Sequence, residues 1–256
     1  TQIPMPDSAP ALPSSFVFRY RFLIFTAIIV AGFLLPGLIS PSSSTTTWML
    51  AAGFTAHRGW LSMQSSSFLT GAVALTFAVA AALIRTWATA FIGADVMLSS
   101  RIHTHTVVAA GPYRYLRNPL YLGLELHFVA LALLMPLYGA IFSLIAGSIF
   151  LALIIRAEES RLAATPGYKE YAARVPRLIP SLTPRAQLRV MAPSAARPHW
   201  ARAFLSEIYY WGVALSFAIF LTQYNTQLIV RGVLLSLGVS LVVRSFIVQR
   251  TPAATP

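Results

Sequence analysis

Two of the chain's seven acidic residues, Glu158 and Glu159, are adjacent, and they open the stretch EESRLAATPGYKEYAARVPRLIP, residues 158–180, rich in arginine and tyrosine. Ahead of it, residues 111–123 read GPYRYLRNPLYLG and bring Tyr113, Arg117, Asn118 and Tyr121. Carboxylates suit a cation or a diol, guanidinium groups suit an anion, and tyrosines add ring faces and hydroxyls. Neighbouring positions on a helix point about 100° apart. Two readings of the pair follow: helix-end charge pairing with Arg156 and Arg161, or one glutamate facing a bound group while the other fixes an arginine.

Gly111 to Tyr113 reads as a turn, and Asn118-Pro119 as the N-cap and first residue of a helix. The free N–H groups of such a helix start favour anionic or polar ligands. Glu125 falls about 8 Å into the following apolar segment at 1.5 Å per residue. A carboxylate facing lipid costs at least ~2.5 kcal/mol, so it must face a partner, such as a nearby arginine, or a polar cavity. Tyr121 lies one turn before it on the same face.

Other chemistries are excluded or unsupported. The chain has no cysteine, hence no disulfide, thiolate metal site or cysteine nucleophile. No glycine-rich nucleotide loop occurs, and His103 and His105 lack the acidic or cysteine companions a metal would need.

The elements that hold these residues are set by composition. Hydrophobic residues make up 57% and charged residues 10%, against about 25% charged in an average soluble domain, and the mean hydropathy is +0.68. An all-α integral membrane protein is the expected class. The net charge of +12 comes largely from Arg101, Arg114, Arg117 and nine basic residues between 156 and 202, which flank the apolar stretch 120–155. The positive-inside rule puts both flanks in the cytoplasm, and the charge reads as topological and lipid-facing, with no nucleic-acid partner.

Segments 22–39, 68–93, 204–221 and 228–248 approach the roughly 20 apolar residues of a membrane span. Segment 120–155 carries MPLYG at 135–139 and reads as a tight hairpin of two short spans. About six spans result, with both termini cytoplasmic and 48–67 as an interfacial or re-entrant segment. Arg85, Arg231 and Arg244 fall in or beside spans and must snorkel or face the interior. The first span resembles a signal peptide but lacks a small-residue cleavage motif, so an anchor is preferred. Small residues at Gly139, Ser143, Gly147 and at Gly232, Ser236, Ser240 make two faces suited to packing or to a homo-oligomer contact. The expected division is a disordered tail at 1–15, an N-terminal membrane region at 16–84, a core at 85–182, a linker and helix pair at 183–250, and a second tail at 251–256.

The run HTVVAAGPYRYLRNPLYLG, 105–123, with the 158–180 stretch resembles the isoprenylcysteine carboxyl methyltransferase and phospholipid methyltransferase superfamily. Arg85 to Ala88, RTWA, is similar to the element preceding that family's core. The resemblance implies an integral-membrane methyltransferase using S-adenosylmethionine, giving S-adenosylhomocysteine, on a membrane lipid or other membrane-soluble acceptor. It further implies a multi-pass protein, expected in a bacterial inner membrane, with its active site facing the cytoplasm. Carried over by motif, His105, Gly111, Tyr113, Asn118, Tyr121, Glu158, Glu159 and Tyr171 are the expected cofactor-binding residues. Glu125, Arg117 and Asn118 are the expected catalytic ones, with Glu125 orienting or deprotonating an amine or hydroxyl. The implied acceptor is of the isoprenylcysteine-carboxylate or the phospholipid-amine type; Asn118 stands where the isoprenylcysteine enzymes carry histidine, and asparagine is common there among bacterial relatives, which weakens the former. A nicotinamide-dependent reductase of the sterol-reductase type, or a transport or assembly protein on the same scaffold, are the alternatives.

Overall fold

Apolar length separates the helices of this chain into those that can cross a membrane and those that cannot. The structure, a computed structural model, describes residues 20–39, 45–92, 109–185, 198–223 and 226–249. Its helices are α1 (Arg21–Ile39), α2 (Thr47–His57), α3 (Met63–Ile92), α4 (Pro119–Ala132), α5 (Leu137–Leu162), α6 (Tyr168–Arg174), α7 (Trp200–Ser206), α8 (Ile208–Gln223) and α9 (Thr226–Gln249). A 3₁₀ turn covers Gly111–Arg114. Among the described residues no strand occurs, and the expected all-α membrane class holds. The tails, His103 and His105 lie outside the described residues.

Among the described residues α1, α3 and α5 are long and apolar enough to cross, and α7 with α8 makes a fourth candidate if that bent pair is one span. The six spans expected are not confirmed among the described residues. The helix α4 has 14 residues, about 21 Å at 1.5 Å per residue, while α9 runs for 24 residues, with Leu228–Val243 its apolar stretch among the described side chains. The hairpin is also lopsided, because α5 runs for 26 residues to Leu162 instead of ending at 155. Glu158 and Glu159 therefore sit in its last turns, where helix geometry fixes their directions.

The segment after α1 is too short to span: α2 has 11 residues, about 16 Å. It starts at the hairpin turn, where the Thr47 N–H donates to the Met135 carbonyl at 2.8 Å and that of Trp48 to the Leu133 carbonyl at 2.8 Å. The Trp48 indole N–H then donates to the Ser67 carbonyl at the head of α3.

Around this frame the helices pack antiparallel through small residues. On the α1/α5 seam a side chain at Gly139 would overlap the Gly32 carbonyl, and the Ser143 hydroxyl donates to the Ile28 carbonyl. Between α8 and α9, Gly212 meets Ser236 and Gly232 meets Ser216. Both small-residue faces are thus occupied within one chain. Trp48, Leu131, Met135, Phe217, Phe220 and Ile229 form the main core with Ala74 and Ala78 of α3. Phe25, Phe128, Leu151 and Ile154 fill a second core between α1 and the hairpin. Outward, Leu34, Leu38, Ile145, Ile149, Leu234 and Leu241 are exposed, an apolar flank suited to lipid.

Candidate active site

The site is built where the end of α5 meets the start of α4. Asn118 is the N-cap of α4 and Pro119 opens it, yet the Asn118 side chain makes no capping bond. Its Nδ2 instead donates to Glu159 Oε1 at 3.1 Å and to the Arg177 carbonyl at 3.0 Å. Glu159, itself buried, takes Arg177 in a fork: Nε donates to Oε2 at 2.9 Å, and Nη2 lies 2.8 Å from Oε2. Arg117 Nη1 stands 3.5 Å from Oε1. Glu159 thus clamps together the helix start, the turn and the tail after α6. Its partners are Arg117 and Arg177, not the neighbouring Arg156 or Arg161 of the helix-end reading.

Glu158 points to the other side of the helix. Its carboxylate lies within electrostatic reach of the Tyr121 hydroxyl, one turn into α4, and of Arg21 and Arg161. Arg21, the first residue of α1, is buried. The sequence signal for it was only its place at the mouth of the first apolar run, which served topology and not chemistry.

The two motif stretches are zipped along their backbones. The Arg117 N–H donates to the Pro176 carbonyl at 2.8 Å and that of Ser181 to the Tyr115 carbonyl at 3.0 Å. The Tyr171 hydroxyl donates to the Tyr113 carbonyl at 2.7 Å. Gly111 begins the turn at φ +54°, where a side chain would also overlap the Phe91 ring; glycine meets both demands. Tyr113 is buried, and its hydroxyl has no hydrogen-bond partner among the described residues. Burial raises the hydroxyl pKa of Tyr113, Tyr168 and Tyr171 above the usual phenol range. They remain neutral donors at physiological pH.

Beyond Glu159 a wide, open groove is lined by Arg156, Glu159, Tyr168, Lys169 and Arg177 among others. Its cations face a carboxylate already shared by two arginines, so the groove is net positive. Adjacent positions of α5, about 100° apart, thus turn a half-buried carboxylate toward Tyr121 and a buried one toward the basic groove.

Glu125 stands apart. Its Oε1 accepts from the Ser148 hydroxyl across the hairpin, and its Oε2 is buried with no partner among the described residues. No arginine pairs with it there. Ser148 is exposed beside Ile145 and Ile149, so this carboxylate borders the apolar flank.

A second polar cluster was only half visible in the sequence. Arg85, on α3, meets Glu207, the residue between α7 and α8. That break bends the expected single span 204–221 by 66°.

Residues 67–166 match the phospholipid methyltransferase family. The match agrees with the superfamily resemblance of the two motifs. It runs from the head of α3 past the end of α5 and covers less than half of the 256 residues. No curated protein and no solved structure matches the chain. The apolar helices are those of a multi-pass membrane protein, and the matched segment is similar to a methyltransferase family. Glu158, Glu159, Asn118, Arg117, Tyr121 and Glu125 fall inside the matched segment, whereas Arg21, Tyr171, Arg177 and Glu207 are supplied from outside it.

Proposed function

We propose that the chain transfers the methyl group of S-adenosylmethionine to a lipid or other membrane-soluble acceptor, in a bacterial inner membrane, with the motif ends of α4 and α5 on the cytoplasmic side. The observation that carries this reading is the Asn118–Glu159 contact, which joins two stretches 41 residues apart within the segment that matches the methyltransferase family.

The residues present fit such a cofactor. The buried Tyr113 hydroxyl has no partner among the described residues, and Glu158 stands within electrostatic reach of it and of Tyr121. A cationic group or a ribose diol suits these groups, and Arg156, Lys169 and Arg177 in the adjoining groove suit a carboxylate. When bound, S-adenosylmethionine supplies a methyl group on a sulfur that is already an activated leaving group. The protein's task is then alignment and exclusion of water. Glu159 keeps the helix start, turn and tail in register. Glu125, which borders the apolar flank through Ser148, is the group to orient or accept the proton of a membrane-borne amine or hydroxyl.

The test uses membranes containing the protein, S-adenosylmethionine labelled in its methyl group, and organic extraction. Label in the lipid fraction is expected. Glu125→Gln should reduce that transfer about 10²-fold or more, the scale of a general base, with cofactor binding unchanged. Absence of label in lipid from wild-type membranes, or full transfer by Glu125→Gln, would count against the reading or against this role, respectively.

A further inference from the structure

Glu207 is fully buried, with 0% of its surface exposed, at the bend between α7 and α8. Arg85 Nε donates to its Oε2 at 2.7 Å, Arg85 Nη2 to its Oε1 at 3.1 Å, and the Thr89 hydroxyl to Oε1 at 2.7 Å. The remaining arm of the same guanidinium, Nη1, donates to the Leu120 carbonyl at 3.0 Å. Leu120 is the second residue of α4, two places after Asn118 and one before Tyr121. Arg85 is boxed in further: a side chain at Gly123 would overlap its Cγ, and its guanidinium lies 4.2 Å from the Tyr210 ring centroid. The planar fork therefore has one orientation, with the carboxylate of the C-terminal helices on one edge and the site helix on the other.

Two buried charges in an apolar interior are a poor source of stability in themselves. Their geometry here carries a direction: the carboxylate fixes the guanidinium, and the guanidinium holds the first turn of α4. The family match ends at 166, so the holding group comes from outside the matched segment.

We propose that Glu207 is a positioning residue for the candidate active site, acting through Arg85 on the first turn of α4, so that the C-terminal helices complete the site without touching its ligand. This rests on the methyltransferase reading for what the site binds, while the mechanical link from Glu207 to α4 stands by itself. Deleting the carboxylate frees the fork to turn from Leu120, and Asn118 and Tyr121 then lose a fixed register toward Glu159 and Glu158.

The experiment combines hydrogen exchange of the full detergent-purified chain with calorimetric binding of S-adenosylhomocysteine, for wild type, Glu207→Gln and Arg85→Lys. Lysine keeps a cation opposite Glu207 but lacks the fork that reaches Leu120 as well. Expected in both variants are faster exchange confined to the first turns of α4 and binding weakened on the order of tenfold, as when an orienting partner is removed. Thr89→Val keeps the fork and serves as the milder variant should Glu207→Gln not fold; it should give a smaller change of the same kind. Unaltered exchange in α4 in the folded variants, or wild-type affinity in Arg85→Lys, overturns the proposal. Failure of wild type to bind the probe overturns the methyltransferase reading, and with it the site role, even where exchange in α4 responds.

Discussion

Replacing Glu159 by alanine removes the acceptor shared by three side chains, and the structure sets how much each loses. Arg177 is half exposed, with 51% of its side-chain surface accessible, so its pairing contributes no more than about 1 kcal/mol after solvent screening. Asn118 keeps the Arg177 carbonyl as a second acceptor, and losing one bond costs about 1 kcal/mol. Arg117, 14% exposed and 3.5 Å from Oε1, loses its carboxylate and is left as a mostly buried cation, worth roughly 1–3 kcal/mol. The total is about 3 kcal/mol, which lowers the melting temperature of a chain this size on the order of 10 °C. Glu159→Gln retains an acceptor for Asn118 and should lose about half as much. The assay is intrinsic tryptophan fluorescence during heating of detergent-purified protein, all variants in one detergent. An unchanged melting temperature in Glu159→Ala would refute the clamp and return Glu159 to a solvent-screened surface role.

Two further substitutions probe the frame. Gly139→Ala should destabilise by ~3 kcal/mol or more, because the clash is with the Gly32 backbone and no side chain can yield; loss of the α1/α5 contact is read by crosslinking between cysteines introduced on the two helices. Tyr171→Phe removes the bond to the Tyr113 carbonyl and should cost about 1 kcal/mol, or 2–4 °C, with equal thermal stability as the contrary result.

The sequence showed the local features best, since their causes are local. The Asn118-Pro119 helix start and the turn at Met135 follow from residues within a few places of each other, whereas Arg85 left snorkelling and an interior position open, and it is buried. Partner choice was less legible. Glu159 pairs with Arg177, 18 residues away, and Glu207 with Arg85, 122 residues away, and neither separation is encoded in spacing. Glu207 did carry a signal, as a lone acid inside an apolar run that must find a cation. The short α4 was hidden because hydropathy is continuous through the hairpin, and only the turn reveals how unequally the two arms share it. The Asn118 side chain was read as a cap because capping is the local use of asparagine at a helix start; a distant carboxylate takes it instead.

The central claim, that this membrane site is a cofactor site for methyl transfer, is tested most directly by calorimetric binding of S-adenosylmethionine and S-adenosylhomocysteine to the detergent-purified chain. Nicotinamide dinucleotide phosphate is the comparison, and Glu158→Gln the variant. The account predicts binding of the first two compounds, none of the third, and weakened binding in a Glu158→Gln protein that melts like wild type. No binding of either methyl-donor compound to folded wild-type protein, or wild-type affinity in Glu158→Gln, would contradict it.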